Sequence, residues 1–131
     1  MIYKIEELQL WIEARALFKD TIPFFDFLKQ KGEYALLDQM KRSCGSIMNN
    51  IAEGFERNGN REFIQYLSIA KGSAGEFKSQ LYRCYDLNFL SQKNAELYIA
   101  KTDNIINNLG GFIKYLNNTE KKGIKFKKNI N

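Results

Sequence analysis

The chain of 131 residues is 44% hydrophobic and 27% charged with a formal net charge of +5, which bounds it to one globular domain able to bury a core without staples. It contains no histidine, which excludes a histidine general base and any histidine-bearing metal site. No window approaches the roughly 18 uninterrupted apolar residues of a membrane-spanning helix, so no membrane association is expected.

One proline and few alternating β-branched runs predict an all-α chain. The opening MIYKIEELQLWIEA holds three glutamates where a secretory signal needs a basic start and an unbroken apolar stretch, so the chain is expected in the cytoplasm. From there Leu8, Trp11, Ala14 or Arg15, Phe18, Ile22, Phe25 and Leu28 recur at steps of three and four, predicting a first helix over residues 5–31. Pro23 lies inside it and predicts a kink or break near residues 20–22, and Gly32 is placed to cap its end.

A second helix is predicted over residues 34–56, with Leu37, Met40, Cys44, Ile47, Ile51 and Phe55 facing inward. After a turn at RNGN, with Gly59 as the cap and Asn58 or Asn60 as alternatives, Phe63, Leu67, Ala70, Ala74, Phe77, Leu81 and Cys84 mark a third helix. Its middle, IAKGSAGEF, is short of bulk, and two interior glycines cost about 1 kcal/mol each against alanine, so close packing is expected there. Ser91 is the N-cap of a fourth helix reaching residue 118 through Ala95, Tyr98, Thr102, Ile105, Leu109, Phe112 and Leu116.

Short connections between helices of this length predict an antiparallel up-down-up-down four-helix bundle over residues 1–119. Residues 120–131, EKKGIKFKKNIN, form a basic tail whose five lysines and one glutamate carry +4 of the net charge, leaving +1 on the body. Such a tail either holds a phosphate backbone by charge or is a solubilising end. Phe24, Phe27, Tyr66, Tyr82, Tyr85 and Phe89 fall off the main faces and are expected to contribute to a subunit interface. Counting from the turn, Cys44 and Cys84 lie roughly 18 Å apart along the bundle axis, too far for a disulfide, and read as reduced core thiols.

The stretch IMNNIAEGFERNGN concentrates the polar features. Asn49, Glu53 and Arg57 are four apart and stack on one side of the second helix, either as a contact surface or as a ladder fastening the helix end, while Gly54 gives room for a neighbouring backbone. Lys41, Arg42, Arg57, Arg61, Lys71, Lys78 and Arg83 form either a basic stripe for phosphates or a solvated face neutralised by Glu62, Glu76 and Asp86. For catalysis there is neither a phosphate-binding glycine loop nor the Glu-x-x-His elements of a di-iron bundle, so the sequence predicts no enzyme, no metal and no cofactor.

SIMNNIAEGFERNGNREFIQYLSIAKGSAGEF closely resembles the S23-type four-helix bundle proteins encoded in intervening sequences of bacterial 23S ribosomal RNA genes, and the related accessory proteins of diversity-generating retroelements. The matching positions include Ser46, Asn50, Glu53, Gly54 and Arg57, continue through Glu62, Gly72, Ser73 and Glu76, and are joined by Trp11, Ala14 and Leu17 of the first helix. The resemblance implies a homopentamer with a central channel and, through the retroelement relatives, a basic surface that meets nucleic acid and a reverse transcriptase. Asn49, Asn50, Glu53, Gly54, Glu62, Gly72 and Ser73 then belong to a packing junction, with the seven cations as the nucleic-acid surface. The expectation is a non-enzymatic oligomeric scaffold binding RNA or DNA; the alternative is a protein adaptor with little nucleic-acid affinity of its own, for example for a reverse transcriptase.

Overall fold

The computed structural model describes residues 2–121, and over that range it is all-α. After a single 3-10 turn, Ile5–Glu7, come α1 (Gln9–Gln30), α2 (Tyr34–Phe55), α3 (Asn60–Asp86) and α4 (Gln92–Lys121). Successive helices run antiparallel, and α4 closes the bundle against α1. Residues 122–131, most of the expected basic tail, lie outside the described range, and α4 continues three residues beyond the expected helix end at 118.

Local sequence explains where the helices stop. Gly32 adopts φ +76° past the end of α1, and Glu33 N–H donates to the Leu28 carbonyl at 3.0 Å, a Schellman closure that the left-handed residue permits. Asn88, at φ 64°, does the same after α3, with Phe89 N–H on the Cys84 carbonyl at 2.9 Å. Ser91 caps α4, its hydroxyl accepting from Asn94 N–H at 3.1 Å. At the start of α3 the expected Gly59 occupies the cap position, at φ 120°, and no side chain caps the helix. Asn60 instead sends its amide across the bundle to Thr119 Oγ1 at 3.1 Å, so it fastens α3 to α4.

The inward stripes of α2 and α3 are those expected from periodicity. That of α1 is shifted in part: Leu8, Ala14, Phe25 and Leu28 are buried as expected, Leu10, Leu17, Thr21 and Phe24 are buried beside them, Trp11 and Phe18 are half-buried, and Ile22 is 43% exposed. Along the middle of α1 the expected and observed stripes differ by one residue, about 100° of rotation, because the polar Thr21 lowers the apolar count of the observed one. Its hydroxyl donates to the Leu17 carbonyl at 2.7 Å, which lets a polar side chain enter the core satisfied. Pro23 neither ends nor interrupts α1. It lies on the exposed side, where water can solvate the Lys19 carbonyl that lacks a helical donor.

Other departures concern packing. Cys84 Sγ donates to Met40 Sδ at 3.5 Å and Ser43 faces Gln80, so Cys44 and Cys84 are only about four residues, roughly 6 Å, apart in level. The register drifts from Phe55 against Phe63 near the loop to Met40 against Cys84 higher up, which a count from the turn overlooks. Both thiols remain free, and burial pushes Cys44 up to about 12 and Cys84 up to about 11. Phe24 is buried and packs with Phe27 and Tyr98, with ring centroids 5.9 and 6.3 Å away, and Phe27 in turn meets Phe89 at 6.4 Å. These rings plug the end of the bundle beneath the α3–α4 turn, and of the expected interface aromatics only Tyr82 and Tyr85 are exposed. Gly72 and Gly75, expected at a close contact, face open space; Ala70 and Ala74 are the small residues that α3 turns inward.

Candidate functional site

The polar residues singled out above converge on the seam between α2 and α3. At its lower end, near the connecting loop, Gly54 is buried and allows the closest approach: a Cβ there would lie 2.7 Å from Tyr66 Cβ and 2.9 Å from Phe63 Cδ1. That approach brings Tyr66 beneath Arg57. The guanidinium sits 5.0 Å over the Tyr66 ring, donates to its hydroxyl at 2.8 Å and to Glu53 at 3.1 Å, and lies 3.9 Å from Glu62. The bond from Glu53, then Tyr66 and Glu62, hold Arg57 above the usual arginine range. Arg57 therefore clasps the loop with two carboxylates and an aromatic ring, and its charge is met locally.

Higher up the seam the network is neutral. Asn50 Nδ2 donates to the Ser46 carbonyl and hydroxyl, both at 2.8 Å, and the Ser46 and Ser73 hydroxyls are 2.9 Å apart. One further turn on, the buried Ser43 hydroxyl donates to Gln80 Oε1 at 2.6 Å. Ser43, Ser46 and Ser73 then open into a cleft of about 290 Å³ rimmed by Gln39, Arg42 and Glu76. Asn49, expected in a ladder with Glu53, is exposed, and Asn50 bonds within α2 to Ser46, whose hydroxyl makes the connection to Ser73 of α3. Sequence reading also missed Tyr66, Ser43 and Gln80. Tyr66 is nine residues from Arg57 across a loop, and Ser43 is 37 from Gln80, so helical spacing gives no signal for either pair.

The seven predicted cations do not share one stripe. Arg42 and Arg57 lie on the α2–α3 seam. Lys78 and Lys71 point to the other side, where Lys78 Nζ pairs with Asp103 at 2.7 Å, which raises its pKa, and Lys71 reaches Gly110 of α4. Lys41, Arg61 and Arg83 are exposed. The surface thus offers separated cations, two of them already matched by carboxylates.

Chemically, the seam is a hydrogen-bonding surface. A serine nucleophile needs a base in contact, whereas the groups bonded to Ser46 and Ser73 are each other and an amide. Among the described residues, no group of three His, Cys, Asp or Glu side chains could hold a metal ion. No described helix is long and apolar enough to cross a membrane.

Comparison with known proteins bears on the same seam. The family model described as 23S rRNA-intervening sequence protein matches residues 6–111. The chain belongs to this family. The match spans α1, α2 and α3, including the whole polar seam, and stops short of the basic tail. A solved structure of a protein of unknown function from the S23 ribosomal protein family of Bacteroides thetaiotaomicron superposes with a TM-score of 0.77. It is 23% identical, and the alignment covers 80% of this chain and 98% of that one, so this likeness speaks to the fold alone. Comparison with curated proteins found no match.

Proposed function

We propose that the chain is a non-enzymatic building block of the cytoplasm that assembles with copies of itself through the outer face of α3 and binds RNA or DNA through cations that assembly gathers. The observation carrying this reading is the exposed strip of Gly72 and Gly75 between Ile69, 52% exposed, and Tyr82, 49% exposed. Among the described residues nothing packs against these glycines, each of which costs about 1 kcal/mol in a helix interior against alanine. A second backbone laid along the strip uses both and covers the two apolar side chains. A homopentamer is the stoichiometry implied by resemblance to the family. One bundle with a body charge of +1 attracts phosphate weakly, whereas several copies that align Lys41, Arg42, Arg61 and Arg83 sum their fields.

The test pairs light scattering with fluorescence anisotropy of a labelled structured RNA and a DNA duplex over a range of salt. Gly72→Gln and Gly75→Gln fill the strip without touching the bundle's own core. They are expected to keep the helical content, to dissociate the assembly and to lose nucleic-acid affinity. Arg42→Glu and Arg61→Glu are expected to weaken binding with the assembly intact. A wild-type protein that is monomeric at micromolar concentration, or affinity indifferent to salt, refutes the reading. A second reading, a protein adaptor, is favoured by an apolar groove of about 360 Å³ between α3 and α4, lined by Tyr82, Tyr85 and Ile99. A purified reverse transcriptase that binds the wild type but not Tyr85→Ser, with nuclease present, supports it.

A further inference from the structure

The cleft of about 290 Å³ on the α2–α3 seam holds unspent hydrogen-bonding groups on its floor and on both walls. Its floor has a proton to give. The Ser46 and Ser73 hydroxyls are 2.9 Å apart, Ser46 also accepts from Asn50, and among the described residues neither hydroxyl has a further partner. Two hydroxyl protons share one bond, so whichever serine donates, the other's proton is left for the cleft. The walls carry opposite charges. Arg42 lies four residues from Ser46 on α2 and Glu76 three from Ser73 on α3, about 6 and about 4.5 Å along antiparallel axes, so the two stand at nearly one level across the seam. Among the described residues neither makes an ion pair or a side-chain hydrogen bond. The reason is that helical side chains lean toward the N-terminus of their own helix. The lean carries Arg42 up toward Gln39 and Glu76 down toward Ser73.

We infer that this cleft binds guanine, presented by an unpaired nucleotide of RNA or DNA. Around its polar edge guanine offers, in order, the N7 and O6 acceptors, the N1–H and N2–H donors and the N3 acceptor. The cleft offers the complement in the same order: the Arg42 guanidinium above, the Glu76 carboxylate below it, and the spare serine proton at the floor. Arg42 donates to N7 and O6, Glu76 accepts from N1–H and N2–H, and a serine donates to N3. The ribose, on the remaining side of the base, faces out, as an open cleft requires of a group carried on a chain. Adenine reverses the pattern, with its amino group toward Arg42 and its N1 acceptor toward Glu76. Pyrimidines lack the ring that carries N7. A free amino acid also has one anion and one cation, but in an open cleft water solvates those charges as well as the protein does. A base gains more, by laying its faces against the methylene stems of Gln39, Arg42 and Glu76. The exposed Lys41, beside Arg42, and Arg83, two turns from Glu76, stand ready for the flanking phosphates. This assignment rests on the nucleic-acid reading above and names the base it selects.

The test has two arms, both on the full chain. In the first, amide spectra are followed as the monophosphate of guanosine, inosine or adenosine, or glycine, is added. Guanosine monophosphate is expected to shift the signals of Arg42, Ser46, Ser73 and Glu76 saturably. Inosine monophosphate, which lacks the N2 amino group, should shift them more weakly, and adenosine monophosphate and glycine not at all. In the second arm, fluorescence anisotropy compares labelled heptauridine with the same strand carrying one central guanine. The guanine strand is expected to bind about tenfold more tightly, the scale of one bidentate base contact. Glu76→Gln is expected to erase that preference while affinity for heptauridine stays equal or rises, since a negative charge is removed. Arg42→Lys, which keeps the charge and loses the planar fork, is expected to erase it at unchanged salt dependence. Both side chains are exposed, so neither change disturbs the core. Variants that alter both strands in the same proportion assign Arg42 and Glu76 a role of charge alone and overturn the inference. Seam signals that answer to every nucleotide alike, or to glycine instead, overturn it too. If guanosine monophosphate shifts the seam and neither strand binds, the guanine site stands and the nucleic-acid reading fails; if both strands bind equally and the seam stays unmoved, the reading stands and the site fails.

Discussion

Alanine at Gly54 tests whether close approach of α2 and α3 organises the polar seam. The added Cβ would lie 2.7 Å from Tyr66 Cβ, 2.9 Å from Phe63 Cδ1 and 3.3 Å from the Phe63 carbonyl oxygen. Carbon atoms prefer separations of about 3.5–4.0 Å, and Tyr66 Cβ is rigidly attached to its backbone, so no rotamer change relieves the contact. The helices must move apart by about 1 Å locally, a kind of overpacking that costs about 1–3 kcal/mol. Alanine simultaneously gains about 1 kcal/mol of helix propensity over glycine, which would mask part of the loss. Gly111→Ala removes that ambiguity, since a Cβ at this position in α4 has open space around it and registers propensity alone. Urea denaturation followed by circular dichroism should place Gly54→Ala below Gly111→Ala by about 1–3 kcal/mol, at two protein concentrations so that any linked dissociation is visible. Equal stability of the two variants, or a more stable Gly54→Ala, refutes the argument that this glycine exists for the neighbouring helix.

Ser43→Ala strands the buried Gln80 Oε1 that it serves at 2.6 Å and should cost about 1–3 kcal/mol, with part of the loss recovered by adding Gln80→Leu; a fully additive pair in denaturation argues against the coupling. Both cysteines should resist a thiol reagent at neutral pH and react when the chain is unfolded in urea, as burial keeps them protonated; rapid native labelling contradicts the packing. Because their folded values, about 12 and about 11, exceed the ordinary 9.0, the unfolded chain releases protons that the fold retains. Their contribution is therefore full below pH 9 and declines as pH rises toward 11 and 12, and Cys44→Ala should flatten that alkaline decline in urea midpoints. Arg57→Ala should change global stability little, since solvent screens exposed ion pairs, yet speed amide exchange at residues 56–59; unaltered exchange there would show that the clasp does not order the loop.

The bundle could be read from the chain because its helices obey a local rule. The stripes from Leu37 to Phe55 and from Phe63 to Cys84 repeat every three or four residues, and a connection as short as RNGN leaves adjacent helices little choice but to run antiparallel. Reading failed where the rule was nearly degenerate: one residue separates the two possible faces of α1, and the buried Thr21 is chosen by a hydrogen bond to Leu17 that composition does not advertise. The candidate site was legible as a set of residues. Gly54 was recognised as room for a neighbour, and Asn50, Ser46 and Ser73 as parts of a shared motif.

Their connections across the seam were not legible, because those join residues of different helices. Whether Ser46 meets Ser73 across the seam turns on the rotation of α2 against α3. Whether Arg57 faces solvent or Tyr66 depends on a loop of four residues, and whether Lys78 belongs to a basic stripe depends on Asp103, 25 residues away in another helix. By itself, then, the sequence determined the fold class, the helix order and most of the core, since these follow from periodicity and backbone preference along a single strand of chain. The pairing of charges, the open faces of Gly72 and Gly75 and the cleft between Arg42 and Glu76 were decided only by tertiary structure, because each is a relation between surfaces whose distance and rotation no local pattern encodes.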